Sequence, residues 1–599
     1  MRFDEVLQEH VGGFGPYQWG LYILIGLSAM PSGWQSMANN YLVGRQQHWC
    51  NVPALSNLSH ARQKYISIPL DRQQDGSDRY TSCHYYSLNY SEYSYEELMS
   101  WNRSVRLNGA RRIKCDSGWV YDRSLHVSTL LSKWDIVCDI DWQGPLVSTI
   151  YIGGMLVGSL LSGVISDRFG RKVALMAMIV IEFIFAFAGA FMPNYPLFCI
   201  CRFAVGGSAI AIYIIALVYI VENIGAVYRS KVFIAPFFFS GYAVLSGLAY
   251  GAREFENLQV VMAVPRLVFF SFFWIIPESP RWLVSQKRED EAIKILEYMA
   301  EVNGRTMPDK IDFTEEYIKN DTIDKLDGEN DSRTKGTIVD LVRTPRIRAR
   351  YFIMCTIWFV TAMVYYGLSL NSGGLAGSVF VNTTISAVAD IIAWLFCINS
   401  IGRVGRKWPL VGALIFGGIA CLVCIPFLYQ RNLQYFVVIL SNVGKIGAAA
   451  SFQIIYTYTS EMFPTGIRAV TVGSASMVAR ISAMASQQLG QLDSVWLPLP
   501  SVIFGSTTIV SGFLALFLPE TLGKKLPETI EDGELFGTEK YDDQSMEIAQ
   551  TNGRIHTAAD AGHDNHGYVV GERLKENNEE CSSNVKPNYD NLNTEVTRI

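Results

Sequence analysis

The chain has 599 residues, of which 50% are apolar and 13% aromatic, while only 18% are charged. Its net charge of −5 makes no case for nucleic-acid binding. The charge is concentrated in two loops and the C-terminal stretch, which is unlike a soluble chain of this length.

Met1–Gln18 carries Asp4, Glu5 and Glu9 rather than a basic leader, so the first apolar run is expected to stay as a membrane anchor. A hydrocarbon core of about 30 Å needs roughly 20 apolar residues per helix. Segments near 18–43, 144–166, 173–192, 195–221, 232–250 and 257–276 meet that test, and so do 350–370, 376–398, 408–428, 433–457, 467–490 and 497–518. Pro31 and Asn39-Asn40 interrupt the first segment, and Pro265-Arg266 the sixth. The expected fold is an all-α polytopic membrane protein with twelve transmembrane helices in two six-helix repeats.

The predicted organisation is a cytoplasmic N-terminus (1–17), a first half (18–276) containing an extracellular loop (44–143), and a charged cytoplasmic inter-half loop (277–349). A second half (350–518) and a cytoplasmic tail (519–599) follow. From Gly533 the tail is rich in Asn, Asp and Glu and is read as disordered. Orientation follows from the short loops, since Lys and Arg are retained inside. With both termini inside, the inner loops hold Arg168, Arg171, Lys172, Arg229, Lys231, Arg403, Arg406, Lys407 and Arg468, against only Arg253 and Arg431 outside.

The external loop holds Cys50, Cys83, Cys115 and Cys138, an even set in an oxidising compartment whose three pairings remain open. It also holds glycosylation sequons at Asn57, Asn89 and Asn102, which support the topology. A protective cap is the plain reading of this loop.

Two basic turns repeat: Asp167-Arg168-Phe169-Gly170-Arg171-Lys172 and Gly402-Arg403-Val404-Gly405-Arg406-Lys407. Glu222…Arg229 matches Glu461…Arg468, and Pro277-Glu278-Ser279-Pro280-Arg281 matches Pro519-Glu520-Thr521. All lie at predicted cytoplasmic helix ends, where arginines and carboxylates that part and re-pair would form a latch between two states. The plainer alternative is a set of topology determinants whose side chains snorkel to headgroups.

With the large Cys- and sequon-bearing loop, Asp167–Lys172, Pro277–Leu283, Ser460–Arg468 and Pro519–Gly523, the chain resembles the major facilitator superfamily. Within it the resemblance is to the organic cation/anion/carnitine transporter branch, solute carrier family 22, over about residues 1–532. It implies transport of a small organic ion or zwitterion across the bilayer by alternating access.

Ionisable residues inside a membrane are functional candidates; here they are Glu182, Arg202, Arg266, Asp390, Lys445 and Arg480. Arg202 and Lys445 are read as close to helix ends, and Glu182 receives no role. By resemblance Asp390 falls where cation carriers place a carboxylate, and Arg480 where anion and carnitine carriers place an arginine. One carboxylate and one guanidinium suit a zwitterion, its amine on Asp390 and its acid bidentate on Arg480. Pairing of these two with each other or with neighbours is the structural alternative. Tyr213, Tyr365, Tyr366 and Phe452 match cavity positions of the family and offer aromatic faces to an ammonium, with Asn40 and Gln453 as polar neighbours.

All eight histidines lie outside the spans, and no Ser-His, HExxH or Cys-His constellation appears, so an enzyme is not expected, nor a metal or cofactor. A receptor is disfavoured by the duplication, and a channel by the lack of any filter-like segment. Sodium or proton coupling stays open, as does the alternative of an organic anion exchanger. The C-terminal Thr597-Arg598-Ile599 fits a PDZ-domain partner, and Tyr589-Asp590-Asn591-Leu592 a sorting signal.

Overall fold

The computed structural model describes residues 3–541 apart from 45, 73–77, 102–109, 226–227, 230–233, 309–310, 312, 314–337, 376 and 525. Asn102, Tyr589–Leu592 and Thr597–Ile599 lie outside the described residues. Six helices of the first half are α1 (Pro16–Met37), α2 (Gln143–Phe169), α3 (Arg171–Ala190), α4 (Tyr195–Glu222), α5 (Ala235–Gly251) and α6 (Phe255–Ala263). Six of the second are α7 (Pro345–Leu370), α8 (Val379–Val404), α9 (Lys407–Val423), α10 (Gln434–Met462), α11 (Thr465–Leu489) and α12 (Leu499–Ala515). Among the described residues, eight helical spans are long and apolar enough to cross a membrane. Helices α1 and α11 bury Gln, Ser and Thr side chains alongside their aliphatic residues.

Local chemistry sets the helix ends. Asn194 caps α4 by accepting from the Leu197 amide at 3.2 Å, with Pro196 in the first turn, where its missing N–H costs nothing. Pro265 has no N–H to continue α6, and the chain tightens into a 3-10 stretch, Val264–Ser271, before Phe272–Ile275 resumes.

The halves meet through α2 with α11 and α5 with α8. Tyr151, Ile152 and Met155 of α2 pack with Ala483 and Met484 of α11 and with Tyr366 of α7. The hydrogen bonds seen to cross between the halves gather at one end. Asn40 Nδ2 donates to Ser369 O at 3.0 Å and Ser372 Oγ at 3.2 Å, and Thr149 Oγ1 donates to Met484 O at 3.3 Å. That end also carries the segment between α1 and α2.

This segment folds as three antiparallel two-stranded sheets. With strands β1 (His48–Cys50), β2 (Leu70–Arg72), β3 (Asp78–Tyr80), β4 (His84–Tyr86), β5 (Arg112–Lys114) and β6 (Trp119–Tyr121), the pairs are β1–β6, β2–β3 and β4–β5. Of the three pairings open in the sequence, the structure forms Cys50–Cys115 and Cys83–Cys138. Asn57 and Asn89 are exposed on it.

Two sequence expectations need correcting at the opposite end. The stretch read as a charged loop contains helices Pro280–Ser285 and Glu289–Val302. Against them packs the start of the chain: Phe3, Val6, Leu7 and Val11 are buried with Leu283, Leu296, Met299 and Phe313. The apolar spacing 3, 6, 7, 11 places one sticky face along a helical segment, which a flanking acidic composition disguises. Within the tail, read as disordered from Gly533, Phe536 and Tyr541 are buried, and Arg350 donates to Gly533 O and Phe536 O. Glu534 accepts from the Arg346 and Ile347 amides at 2.9 and 3.1 Å. Burial works to raise its pKa, yet those amides outweigh burial and hold it below the usual range.

Candidate functional site

In the second half, charge and aromatic rings converge. Asp390, on α8, and Lys445, twelfth residue of α10, are both fully buried and meet at 3.0 Å. Lys445 thus lies well inside its span rather than at an end. Its Nζ also donates to Ser386 O and Oγ, each at 2.7 Å. Two tyrosine rings face the same ammonium, Tyr242 of α5 at 4.8 Å and Tyr365 of α7 at 5.6 Å. Tyr365 adds a long 3.4 Å contact from its hydroxyl to Asp390 Oδ2. A carboxylate, a hydroxyl, a carbonyl and two π faces therefore enclose one ammonium, which is the chemistry that stabilises a desolvated cation.

The other proposed ligand contacts lie around this seat. Tyr365 packs edge-on to Tyr366 at 5.2 Å and tilted to Phe452 at 5.6 Å; Phe452 also neighbours Trp358 and Tyr456. Arg480, on α11, is not brought against Asp390. Its Nη1 bonds Ser476 O at 2.9 Å and the Ser476 hydroxyl, leaving Nε buried and without a hydrogen bond in the protein. Tyr366 is the residue that feels both, lying within electrostatic reach of Arg480 and Asp390. Gln453 Nε2 and Asp390 Oδ1 are likewise buried without a partner among the described residues. Tyr213 stands across from Tyr456 and against Phe238, while Asn40 is spent on the junction between halves.

The first half has its own buried ions. Arg266, in the 3-10 stretch after α6, pairs with Glu182 of α3 and donates to Ser28 O at 2.7 Å and Ser32 Oγ at 2.8 Å. Arg202, eighth residue of α4 and so also not terminal, is held by Gln35 and Asn39 of the α1 region and stacks on Tyr151 at 4.7 Å. Sequence reasoning noted these charges without pairing them. The available signal was one acid and one base at similar depth in the third and sixth apolar segments.

The repeated basic turns form two matching clusters at the end opposite the disulfide domain. Arg171 bonds Glu222 at 2.8 Å, and Arg406 bonds Glu461 at 2.7 Å. Ser279 Oγ and Thr521 Oγ1 donate to those same acids, each at 2.6 Å. Glu278 accepts the amides of Arg171 and Lys172, and Glu520 those of Arg406 and Lys407. Tyr219 and Tyr458 donate to Pro277 O and Pro519 O, again each at 2.6 Å. Gly170 and Gly405 sit at φ +95° and +100°, where a Cβ would come within 2.4 and 2.5 Å of the Glu278 and Glu520 carboxylates. Each turn therefore needs glycine twice over. Burial raises the Glu520 pKa, but amide donors from Arg406, Leu522, Thr521 and Lys407 prevail and lower it.

The rest of the proposed latch is less symmetric. Asp167 pairs with Arg171 at 2.9 Å, and Asp4 with both Arg229 at 2.5 Å and Arg281 at 3.2 Å. Arg168 is exposed and lies over Phe169, and Arg403 is exposed. Arg468 reaches Phe463 O at 3.4 Å, with Nη2 buried and unbonded.

Two six-helix halves, joined around buried ions and carrying duplicated end clusters, define a multi-pass membrane transporter of the major facilitator fold. Solved structures agree: the inward-open and the partially occluded inward-open xylose transporter XylE from E. coli align at TM-scores of 0.54 and 0.52, with 16% identity. They cover 87% and 85% of this chain and all of theirs. The model of the family "Sugar (and other) transporter" matches residues 86–532. An organic cation transporter protein of Drosophila melanogaster is 32% identical over 92% of this chain and 98% of its own length. The human organic cation/carnitine transporter 2 is 33% identical over 88% and 93%, and human solute carrier family 22 member 13 is 32% identical over 89% and 93%. The chain belongs to the sugar (and other) transporter family and, within it, to solute carrier family 22.

Proposed function

We propose that this transporter carries small organic cations or zwitterions, such as carnitine-like compounds or amino-acid-like amines of the β-alanine kind. The observation that carries this reading is the seat of Lys445, where Asp390, Tyr365 and Tyr242 already enclose an ammonium. A substrate amine would use the same partners, with Tyr213, Tyr366, Phe452, Gln453 and Asn40 around it, and a substrate acid would engage Arg480. The names of the organic cation/carnitine relatives support the same chemistry. An organic anion is the second reading, favoured by one fact: Lys445 neutralises Asp390, while Arg480 has no carboxylate partner among the described residues.

The orientation proposed places both termini and the basic turns in the cytoplasm, and the glycosylated disulfide domain outside the plasma membrane. The end clusters then work as a cytoplasmic latch, and the C-terminus is free to meet a PDZ-domain protein. Sodium or proton coupling belongs to the same proposal. Uptake of a labelled zwitterion, a quaternary ammonium without an acid group and an organic anion, with and without sodium and across pH, tests it. Zwitterion uptake abolished by Arg480→Ala is the expected result. A quaternary ammonium carried at full rate and indifferent to Arg480→Ala would leave Arg480 structural.

A further inference from the structure

The seal at the disulfide-domain end is built around one ring. Phe380, second residue of α8, stacks on Tyr41 at 5.6 Å, meets Tyr250 edge-on at 5.5 Å and lies 6.3 Å from the ring of His126. Tyr41 and Tyr250 belong to the first half and His126 to the disulfide domain. A side chain of the second half thus occupies a slot whose walls belong to the other half and to the domain. The slot is braced: Gln46 Nε2 donates to His126 O at 2.6 Å, Thr129 Oγ1 donates to Gln46 Oε1 at 3.0 Å, and the Val127 amide donates to Arg253 O at 3.0 Å. Asn40, next to Tyr41 in sequence, makes the bonds to Ser369 and Ser372 described above.

His126 is only 5% exposed, and its Nε2 makes no hydrogen bond among the described residues. The charged groups facing it are Arg253 and Glu254, which line the same small cleft from the α5–α6 connection, together with Ser128 and Tyr41. From α8 it meets Phe380, which does not titrate and which carries Tyr250 of α5 on its edge.

We propose that Phe380 is the plug of the outer gate, that the disulfide domain supplies a wall of its slot through His126, and that external acid promotes opening of this gate. The proposal rests on the orientation given above. Alternating access requires the halves to part at this end, and Phe380 then leaves its slot and uncovers His126. In the closed gate burial, and after it the charge of Arg253, lower the His126 pKa. Once solvated, the imidazole returns toward about 6.5. The open state therefore binds the proton more tightly, and its population rises as external pH falls below that value. The domain is then part of the transport cycle as well as a cap.

The test uses Ser372→Cys, a buried position at the junction of the halves beside Asn40, and a membrane-impermeant thiol reagent applied to intact cells. The parent without Ser372→Cys gives the background, and surface biotinylation the amount of protein. Modification is expected to speed up severalfold in the order Phe380, Phe380→Leu, Phe380→Ala. Equal rates for all three would overturn the plug. The ratio of rates between the His126 protein and its His126→Phe form cancels the thiol's own pH dependence. That ratio is expected to rise severalfold from pH 7.4 to 5.5, with His126→Gln behaving like His126→Phe. A ratio flat with pH removes His126 from the gate. Glycosidase treatment of intact cells checks the orientation separately: an unchanged gel mobility there sinks the orientation, whatever the rates do.

Discussion

Lys445 and Asp390 hold each other at 3.0 Å across α10 and α8 with neither side chain open to solvent. Removing one partner of such a pair typically costs about 3–5 kcal/mol, because the other charge is stranded. Asp390→Asn and Lys445→Met should each lower surface abundance sharply, while the double variant should recover most of it. Biotinylation of all four forms measures the coupling. Additive losses would mean that the two residues act separately.

The glycine at the second basic turn makes a sharper prediction. Gly405→Ala meets both a left-handed backbone, costing about 1–2 kcal/mol, and the Glu520 carboxylate 2.5 Å from its Cβ. Gly402→Ala, three residues earlier, meets nothing within 4 Å and sits in the last turn of α8. The first should lower the melting temperature of the detergent-solubilised protein; the second should leave it unchanged or raise it slightly.

Glu520 gives a pH dependence with a defined sign. Its folded pKa is depressed, so the stability it contributes is complete above the unfolded value, about 4.3, and is lost as pH falls through the folded value. Thermal unfolding measured between pH 7 and 3 should weaken at the acid end, and Glu520→Gln should flatten part of that slope. A variant with the parental slope would show that other carboxylates carry it.

Glu222 and Glu461 each bind an arginine and a hydroxyl at the helix ends opposite the disulfide domain, far from the Lys445 seat. Glu461→Gln should therefore lower maximal uptake severalfold, normalised to surface protein, with little change in KM. A raised KM at unchanged maximal rate would place Glu461 in recognition instead of the latch.

The disulfide Cys50–Cys115 closes a sequence separation of 65 residues, worth about 4 kcal/mol in chain-entropy terms. Cys50→Ser, Cys115→Ser and the double variant should lose surface expression to the same extent, and peptide mapping should recover Cys83 linked to Cys138. Recovery of Cys50 joined to Cys83 would refute this connectivity.

The helix plan was legible because apolar length and basic turns are one-dimensional signals, and Gly170 and Gly405 marked the repeat. Pairings were not legible. Asp390 meets Lys445 and Glu182 meets Arg266 because helices distant in sequence bring equal depths together, and depth is visible in sequence while neighbourhood is not. The short packed pieces, Phe3–Val11 and Phe536–Tyr541, were hidden by acidic neighbours that dilute composition without preventing one apolar face.

Each half closes its own arginine–glutamate cluster, and the two copies share no member. Neither cluster borrows a member from the other, and the stretch that joins the halves contributes Glu278 and Ser279 to the first cluster alone. Such a molecule could be translated as two polypeptides, broken between residues 314 and 337, and still find its way to an assembled transporter.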